Sequence, residues 1–212
     1  MKNSGGKNII WDWSGVVRDP VNSQMWIVNQ IFKKYGLREI STDELRENWR
    51  QPPALFYQKY LPRGYREGER VKLFRELELD KDCPKHGPFP EVVTLIRKCK
   101  ERGYFLAVVS SDFSETLLPE VKEYRLGNVF DEIVTDANDK LEAVQKIVKE
   151  NNLNTSDTFF VGDSNHEIDV AKEAGIKSVA VTWGFTSERK LMDENPDFLV
   201  HNSEELTSLL FK

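Results

Sequence analysis

The side chains that stand out for chemistry come directly after short apolar runs. Asp12 ends the first such run, Ser110 and Ser111 end the second, and Asp163 ends a third. Short apolar runs bounded by turn signals are typical of buried strands, and open parallel sheets bind ligands at the carboxyl ends of their strands. No structural task explains a carboxylate at this position. Asp12 is therefore a candidate nucleophile, with a turn or helix-capping Asp as the structural alternative.

If these strands are parallel, their polar ends meet along one edge of the sheet. Asp12 and Asp163 would then form a hard oxygen site of the kind that holds Mg²⁺. The hydroxyl groups of Ser110 and Ser111, together with backbone N–H groups of the loops, can hold phosphate oxygens. Lys140 opens a later helix, where its ammonium would balance both the nucleophile and an incoming dianion. A solvated helix residue is the alternative for Lys140.

Strands and helices alternate through the second half of the chain. The pattern predicts strands at 104–110, 132–135, 158–161, 178–181 and 198–200, and helices at 90–102, 114–124, 140–151, 167–174 and 203–211. Strands that alternate with helices of this length imply βαβ units and a parallel sheet. The predicted fold class is therefore α/β, a three-layer Rossmann-like core with a parallel sheet and a small inserted all-helical cap.

The insertion is a stretch of about sixty residues without a convincing strand that follows the first strand. Helical patterns are found at 20–35, 42–49, 54–60 and 68–79. The Met, Trp and Phe stripes in these helices are expected to form a core of their own. The expected division is discontinuous, with a catalytic core of residues 1–18 and 86–212 and a helical cap of residues 19–85.

Composition excludes several classes of protein. The 212 residues carry a net charge of −5 and 31% charged residues, which gives no basic footprint for nucleic acid. No apolar run approaches the roughly 20 residues of a membrane span. The start, residues 1–7, lacks the apolar segment of a signal peptide and is expected to be a loose tail. Cys83 and Cys99 lack metal-binding spacing, which favours a cytoplasmic protein with two ordinary thiols. The three histidines are expected at the surface, and a monomer or homodimer is expected.

These residues resemble, in order, the four signatures of the haloacid dehalogenase superfamily. The matching residues are Asp12-Trp13-Ser14-Gly15-Val16, Ser110, Lys140 and Val161-Gly162-Asp163-Ser164-Asn165-His166-Glu167. The resemblance spans the whole chain, and the helical insertion is similar to the family's C1-type cap. One signature alone would be weak, but four in order at strand ends are specific.

The resemblance implies hydrolysis of a small phosphorylated metabolite with Mg²⁺ as cofactor. Asp12 would attack the phosphoryl group and form an aspartyl-phosphate, which water then hydrolyses. The catalytic residues implied are Asp12, Ser14, Ser110 and Lys140; the phosphate-binding residues are Trp13, Ser14, Gly15, Ser110, Ser111 and Lys140; the metal ligands are Asp12, the carbonyl of Ser14, Asp163 and Glu167. Glu167 would orient a water molecule or hold Lys140.

Ser14 departs from the family's pattern, because its phosphatases usually carry a second Asp there. That Asp protonates the leaving group and later activates water, an assistance typically worth roughly 10²–10⁴-fold. A serine hydroxyl does not titrate near neutral pH. The resemblance therefore implies a slow hydrolase, or one restricted to good leaving groups. Glu167 also departs, since Asp is commoner there, but it preserves the charge.

Other functions stay open on the sequence alone. Phosphonoacetaldehyde hydrolases of the same superfamily have a similar Asp-Trp-small-Gly loop and use a cap lysine; Lys33, Lys34, Lys59 and Lys72 are available, although none has a matching motif. Haloacid dehalogenation is disfavoured, because those enzymes lack the Gly-Asp of the fourth signature. A non-catalytic protein that binds a phosphate ligand is favoured by Ser14 and opposed by the self-repelling carboxylates.

Specificity is expected to come from the cap. Candidate substrate contacts surround a Pro-Pro break: Trp49, Arg50, Gln51, Phe56 and Lys59. Closure of the cap over the sheet edge would exclude water from the site, with hinges expected at residues 18–21 and 85–89.

Overall fold

The computed structural model describes residues 6–137 and 139–212, so most of the expected N-terminal tail lies outside the described residues. The strands are β1 (Asn8–Trp11), β2 (Arg18–Asp19), β3 (Gly87–Pro88), β4 (Phe105–Val109), β5 (Glu132–Val134), β6 (Thr158–Gly162), β7 (Lys177–Val181) and β8 (Phe198–Val200). Six of them form one parallel sheet in the order β5-β4-β1-β6-β7-β8, while β2 and β3 pair antiparallel as a short ribbon. The predicted parallel α/β fold is confirmed.

Ten α-helices surround these strands in the described residues. They are α1 (Val21–Lys34), α2 (Thr42–Asn48), α3 (Ala54–Tyr60), α4 (Glu67–Glu78), α5 (Pro90–Glu101), α6 (Ser114–Glu123), α7 (Lys140–Glu150), α8 (Asn165–Ala174), α9 (Glu188–Asp193) and α10 (Ser203–Leu210). Among them none combines the length and the apolar character needed to cross a membrane. The sequence pattern does not predict α9, which has six mostly polar residues, or the two-residue strands of the ribbon.

Both faces of the sheet are buried, because successive side chains of a strand point to opposite faces. Ile9 and Trp11 of β1 pack with α5, α6 and α10 on one face, whereas Ile10 between them packs with α7 and α8 on the other. Strands covered on both sides read as continuous apolar runs rather than alternating ones. This packing gives the three layers, helix, sheet and helix.

The helical insert (residues 20–86) holds α1 to α4 between the two strands of the ribbon. It has an apolar cluster of its own, in which Phe32, Trp49 and Phe56 are buried. Phe185 of the core joins this cluster and lies 5.3 Å from Trp49, measured between ring centroids. The ribbon coincides with the expected hinges. A separate cap domain of residues 19–85 stays a prediction.

The rim between the insert and the core carries exposed polar contacts. Glu47 of α2 pairs with Arg189 of α9 and accepts a hydrogen bond of 3.0 Å from Ser187. On the other side of the cavity, the guanidinium carbon of Arg75 in α4 lies 3.6 Å from the ring centroid of Phe113. These contacts hold the insert over the carboxyl edge of the sheet.

Candidate active site

The register of the sheet brings the predicted residues to one edge. Trp11 is level with Val161 of β6, and the Asp12 N–H donates to the Val161 carbonyl at 2.9 Å. Asp12 therefore stands beside the carboxyl end of β6, where Asp163 follows. Ser110 follows β4 on the other side of β1.

Three buried carboxylates meet around one buried ammonium at this edge. Asp12, Asp163 and Glu167 each offer an oxygen, and these atoms lie within 4.8 Å of one another. Lys140 Nζ lies 3.0 Å from Asp12 Oδ1 and 2.6 Å from Glu167 Oε1. The four side chains are almost completely buried. One ammonium therefore faces three carboxylates in an environment that penalises isolated charge.

The protonation of these groups reflects that imbalance. Burial raises the pKa of Asp12 to about 7; Lys140 opposes the rise and Glu167 adds to it. Burial also raises the pKa of Asp163 well above its ordinary value, and Glu167 and Asp12 push it further. Burial opposes the charge of Lys140, but Asp12 and Glu167 raise its pKa. The ionised cluster has too much negative charge for the protein alone to balance.

The cluster fits a divalent cation in its donor atoms as well as in its charge. Glu167 is largely committed to the protein, since Oε1 accepts from Lys140 and Oε2 accepts from the N–H and hydroxyl of Ser164. Within residues 6–137 and 139–212, Asp12 Oδ2 and Asp163 Oδ1 have no hydrogen-bond donor. Oxygen ligands of this kind suit hard divalent ions.

Three glycines let the backbone approach these carboxylates. At Gly15, with φ of +83°, an added Cβ would lie 2.6 Å from the carboxyl carbon of Asp163, and at Gly184 it would lie 2.5 Å from the same atom. At Gly162 a Cβ would clash with the side chain of Glu167. Only glycine fits such close approaches, and Gly15 also needs its conformational freedom.

The Ser14 side chain belongs to a network that the sequence does not predict. Its hydroxyl donates to Asp112 Oδ2 at 2.8 Å and accepts from the guanidinium of Arg18. Arg18 also pairs with Asp112 Oδ1 at 3.0 Å, and Ser110 Oγ donates to Asp112 Oδ2 at 3.1 Å. Two of the expected catalytic hydroxyls thus meet at one carboxylate, Asp112.

A second carboxylate, Glu120 of α6, extends this network behind the site. Glu120 pairs with Arg18 at 3.1 Å, contacts His86 Nε2 at 2.6 Å and accepts from the Trp13 indole N–H at 2.6 Å. Only 19% of the His86 side chain is exposed. The expectation of a surface histidine is therefore wrong for His86, because the ribbon returns the chain beside α6.

The other expected phosphate-binding residues, Trp13, Gly15 and Ser111, differ in their contacts and in their exposure to the cavity. The Trp13 side chain is fully buried and stacks on Tyr124, while its backbone N–H donates to Asp12 Oδ1 at 2.8 Å. The Gly15 N–H donates to a backbone carbonyl at 2.9 Å. Ser111 is exposed at the cavity. Phosphate contacts of Trp13, Gly15 and Ser111 stay predictions.

A cavity of about 440 Å³ connects these residues to the insert. At the sheet edge it is lined by Asp12, Ser110, Ser111, Lys140 and Asp163, and on the insert side by Gln24, Trp49, Gln51, Tyr57, Arg70 and Glu78. Arg50, Phe56 and Lys59 do not line it, although their place in the sequence groups them with Trp49 and Gln51. Phe56 instead packs in the apolar cluster of the insert.

Asp112 and Glu120 are not among the site residues predicted from the sequence, although the sequence pattern around each of them could have indicated a role. Asp112 follows Ser110 by two residues at the end of the same strand, so the rule that selects Ser110 also applies to Asp112. Glu120 lies between Leu117 and Val121 on the buried face of α6. A carboxylate on the apolar face of an amphipathic helix needs a partner.

Comparison with known proteins finds similar sequences among phosphatases and a similar fold in a solved structure. Residues 9–181 match the sequence profile of a family described as haloacid dehalogenase-like hydrolase. A phosphoglycolate phosphatase of Aquifex aeolicus is 26% identical over 207 residues, 95% of each chain. A pyrophosphatase PpaX of Bacillus mycoides is 26% identical over 147 residues, which cover 67% of this chain and 68% of that one. A haloacid dehalogenase-like hydrolase of Streptococcus pneumoniae has the same fold, with a TM-score of 0.84 at 20% identity over 98% of this chain and 99% of that one.

Proposed function

Since the chain belongs to the haloacid dehalogenase-like hydrolases, we propose that it is a Mg²⁺-dependent phosphatase that uses Asp12 as its nucleophile. The observation that carries this proposal is the buried group of Asp12, Asp163 and Glu167, which is open to a cavity and which, among the residues described, Lys140 alone balances. The substrate class is a small phosphorylated metabolite. Phosphoglycolate and pyrophosphate are the first compounds to test, because two relatives carry those names.

In the proposed reaction, a carboxylate oxygen of Asp12 bonds to phosphorus as the ester P–O bond breaks. Water then attacks the phosphorus of the aspartyl-phosphate, which releases phosphate and restores Asp12. Lys140, 3.0 Å from Asp12 Oδ1 and held by Glu167, fixes the nucleophile and offsets charge. Ser110 would turn its hydroxyl from Asp112 to a phosphoryl oxygen.

Asp12, Asp163 and the carbonyl of Ser14 are the proposed metal ligands. A bound Mg²⁺ would offset the charge between the nucleophile and the phosphate dianion. The family resemblance also implies Glu167 as a ligand. We propose instead that it chiefly positions Lys140, because Lys140 and Ser164 already occupy its oxygens.

The leaving group is expected to depart with little assistance. The Ser14 hydroxyl donates to Asp112, so it has no spare acidic proton to transfer. Substrates with good leaving groups, such as aryl or acyl phosphates, should therefore turn over fastest. Hydrolysis of the aspartyl-phosphate should also be slow, because the usual base is missing.

The carbon–phosphorus alternative loses support from the position of its lysines. Lys33, Lys34, Lys59 and Lys72 are all exposed and none lines the cavity. A Schiff-base lysine must be buried in the cavity beside the substrate, and none of these four side chains lies there. Borohydride trapping with phosphonoacetaldehyde should therefore give no adduct. A monomeric or homodimeric state and a cytoplasmic location stay proposals.

Phosphate release from p-nitrophenyl phosphate with Mg²⁺ tests the proposal. Asp12→Asn should abolish release, whereas Asp169→Asn, an exposed change on α8, should leave it unchanged. If the unmodified protein is as inert as Asp12→Asn on this ester, phosphoglycolate and pyrophosphate, the proposal is wrong. The alternative, a protein that binds a phosphate ligand without turnover, would then stand.

A further inference from the structure

We propose that the leaving-group end of the cavity selects neutral or cationic leaving groups over anionic ones, through the carboxylate of Glu78. This inference rests on the proposed phosphatase function and specifies its substrate class. A phosphoryl group placed at Asp12, Ser110 and Lys140 leaves only the insert side of the cavity for the rest of the substrate. Glu78, the last residue of α4, lines that side.

Glu78 is a carboxylate without a partner in the part of the chain that the structure describes. No ion pair reaches it there and no donor lies within hydrogen-bond distance, although it is only partly exposed. Burial raises the pKa of Glu78, Arg18 opposes the rise, and Asp112 adds to it. A partly buried carboxylate that lacks a donor is stabilised by a ligand that brings one.

The cation that faces Glu78 is already shared by other carboxylates. Arg18 pairs with Asp112 at 3.0 Å and with Glu120 at 3.1 Å, and His86 is bound to Glu120 at 2.6 Å. Three carboxylates thus face one guanidinium and one imidazole. With its three carboxylates ionised the group carries a net negative charge, so an anionic leaving group would meet repulsion.

Arg70 is the remaining guanidinium on the insert side of the cavity. It pairs with Glu67 one turn earlier in α4 and lies 4.5 Å from the ring centroid of Tyr57. Because Glu67 offsets its charge, Arg70 does not reverse the sign of this end of the cavity. The positive charge of Lys140 belongs to the phosphate end, where it faces Asp12 and Glu167.

Three phosphate esters of nearly equal size test the charge preference. They are 2-aminoethyl phosphate, 2-hydroxyethyl phosphate and phosphoglycolate, whose two-carbon groups are cationic, neutral and anionic. Each is measured as a competitive inhibitor of p-nitrophenyl phosphate hydrolysis, and phosphate release from each compound is measured alongside, because the inhibition constant of a competing substrate also contains its own turnover. We expect the inhibition constant to rise in that order.

The variant Glu78→Gln assigns the preference to this side chain. Removing one partly screened charge should reduce the ratio of the anionic to the cationic inhibition constant about tenfold. Glu76→Gln is the matched control, because Glu76 lies on the same helix with 60% of its side chain exposed. The control should leave the ratio unchanged.

The outcomes separate this inference from the proposed function. If p-nitrophenyl phosphate is not hydrolysed, the phosphatase proposal fails and this inference fails with it. If it is hydrolysed but phosphoglycolate inhibits at least as well as 2-aminoethyl phosphate, only the inference is wrong. The same holds if Glu78→Gln leaves the ratio unchanged. Should Glu78→Gln not fold, the order measured on the unmodified protein decides.

Discussion

Gly184 packs so closely against Asp163 that a single methyl group should displace this carboxylate. The Cβ of an alanine there would lie 2.5 Å from the carboxyl carbon of Asp163, whereas ordinary contacts begin at 3.4 Å. Asp163 Oδ2 would lie still closer to that Cβ, at 2.1 Å, so the carboxyl group must retreat by about 0.9–1.3 Å, far beyond the roughly 0.2 Å that metal-ligand distances tolerate. The hydrogen bond of 2.6 Å from the Phe185 N–H to Asp163 would also be disturbed.

Gly184→Ala should consequently weaken Mg²⁺ binding while the fold survives. We expect the dissociation constant for Mg²⁺ to rise at least about tenfold. Mutation of a residue that only supports a metal ligand typically lowers metal affinity by about 10–100-fold, and here the ligand itself is displaced. Overpacking should lower the free energy of unfolding by about 1–3 kcal/mol. The backbone of Gly184 does not need a positive φ, so an alanine there brings no backbone strain beside the steric displacement.

Calorimetric titration with Mg²⁺ and the Mg²⁺ dependence of p-nitrophenyl phosphate hydrolysis measure the effect. Gly127→Ala is the matched control, because a Cβ there meets no atom within 4 Å and its φ is ordinary. Circular dichroism confirms that both variants are folded. A folded Gly184→Ala protein with unchanged Mg²⁺ affinity would show that Asp163 does not hold the ion.

Three further predictions concern the charges around Asp12. Ser14→Asp should raise the turnover of alkyl phosphates, and the increase should be largest in the double variant with Asp112→Asn. The Ser14 hydroxyl lies 2.8 Å from Asp112, so an Asp at position 14 would be repelled by the Asp112 carboxylate unless that charge is removed. The steady-state kcat measures this effect. Lys140→Met should lower the metal-free free energy of unfolding by about 3–5 kcal/mol, and less with Mg²⁺, in urea titrations. Mg²⁺ affinity should rise with pH through about 7, because Asp12, whose pKa is raised to about 7, and Asp163, whose pKa burial also raises, must both lose their protons; calorimetry in two buffers should detect at least about one released proton at pH 6.

Each of these has a result that would contradict it. For Ser14→Asp, it is a turnover no higher in the double variant than in the single one. For Lys140→Met, it is an equal loss of stability with and without Mg²⁺. For the pH dependence, it is an affinity that is flat between pH 5 and 7 with no proton release.

Much of the site can be predicted from the sequence because it depends on one geometric rule. Parallel strands in register place the residues after their carboxyl ends side by side, and this rule holds wherever the strands are found. Asp12, Ser110 and Asp163 follow from it on the amino-acid sequence alone. Lys140 follows from its place at the start of a later helix together with the family resemblance, and the structure shows its ammonium between Asp12 and Glu167.

The network behind Ser14 cannot be predicted in the same way. Arg18 contacts Asp112 and Glu120 across 94 and 102 residues of sequence. Such contacts depend on where the ribbon leaves the sheet and on the rotation of α6 about its axis. A local pattern contains neither. The surroundings of Glu78 depend further on how the helical insert lies over the sheet.

The exposed rim contacts differ from the buried pairs of the site in how they respond to ions in solution. Arg189 and Glu47 are 67% and 46% exposed, so at physiological ionic strength much of their attraction is screened over about 8 Å. Lys140 and its carboxylates are shielded from that screening. Salt should therefore weaken the contacts between the insert and the core at this rim while leaving the buried ion pairs of the site unchanged.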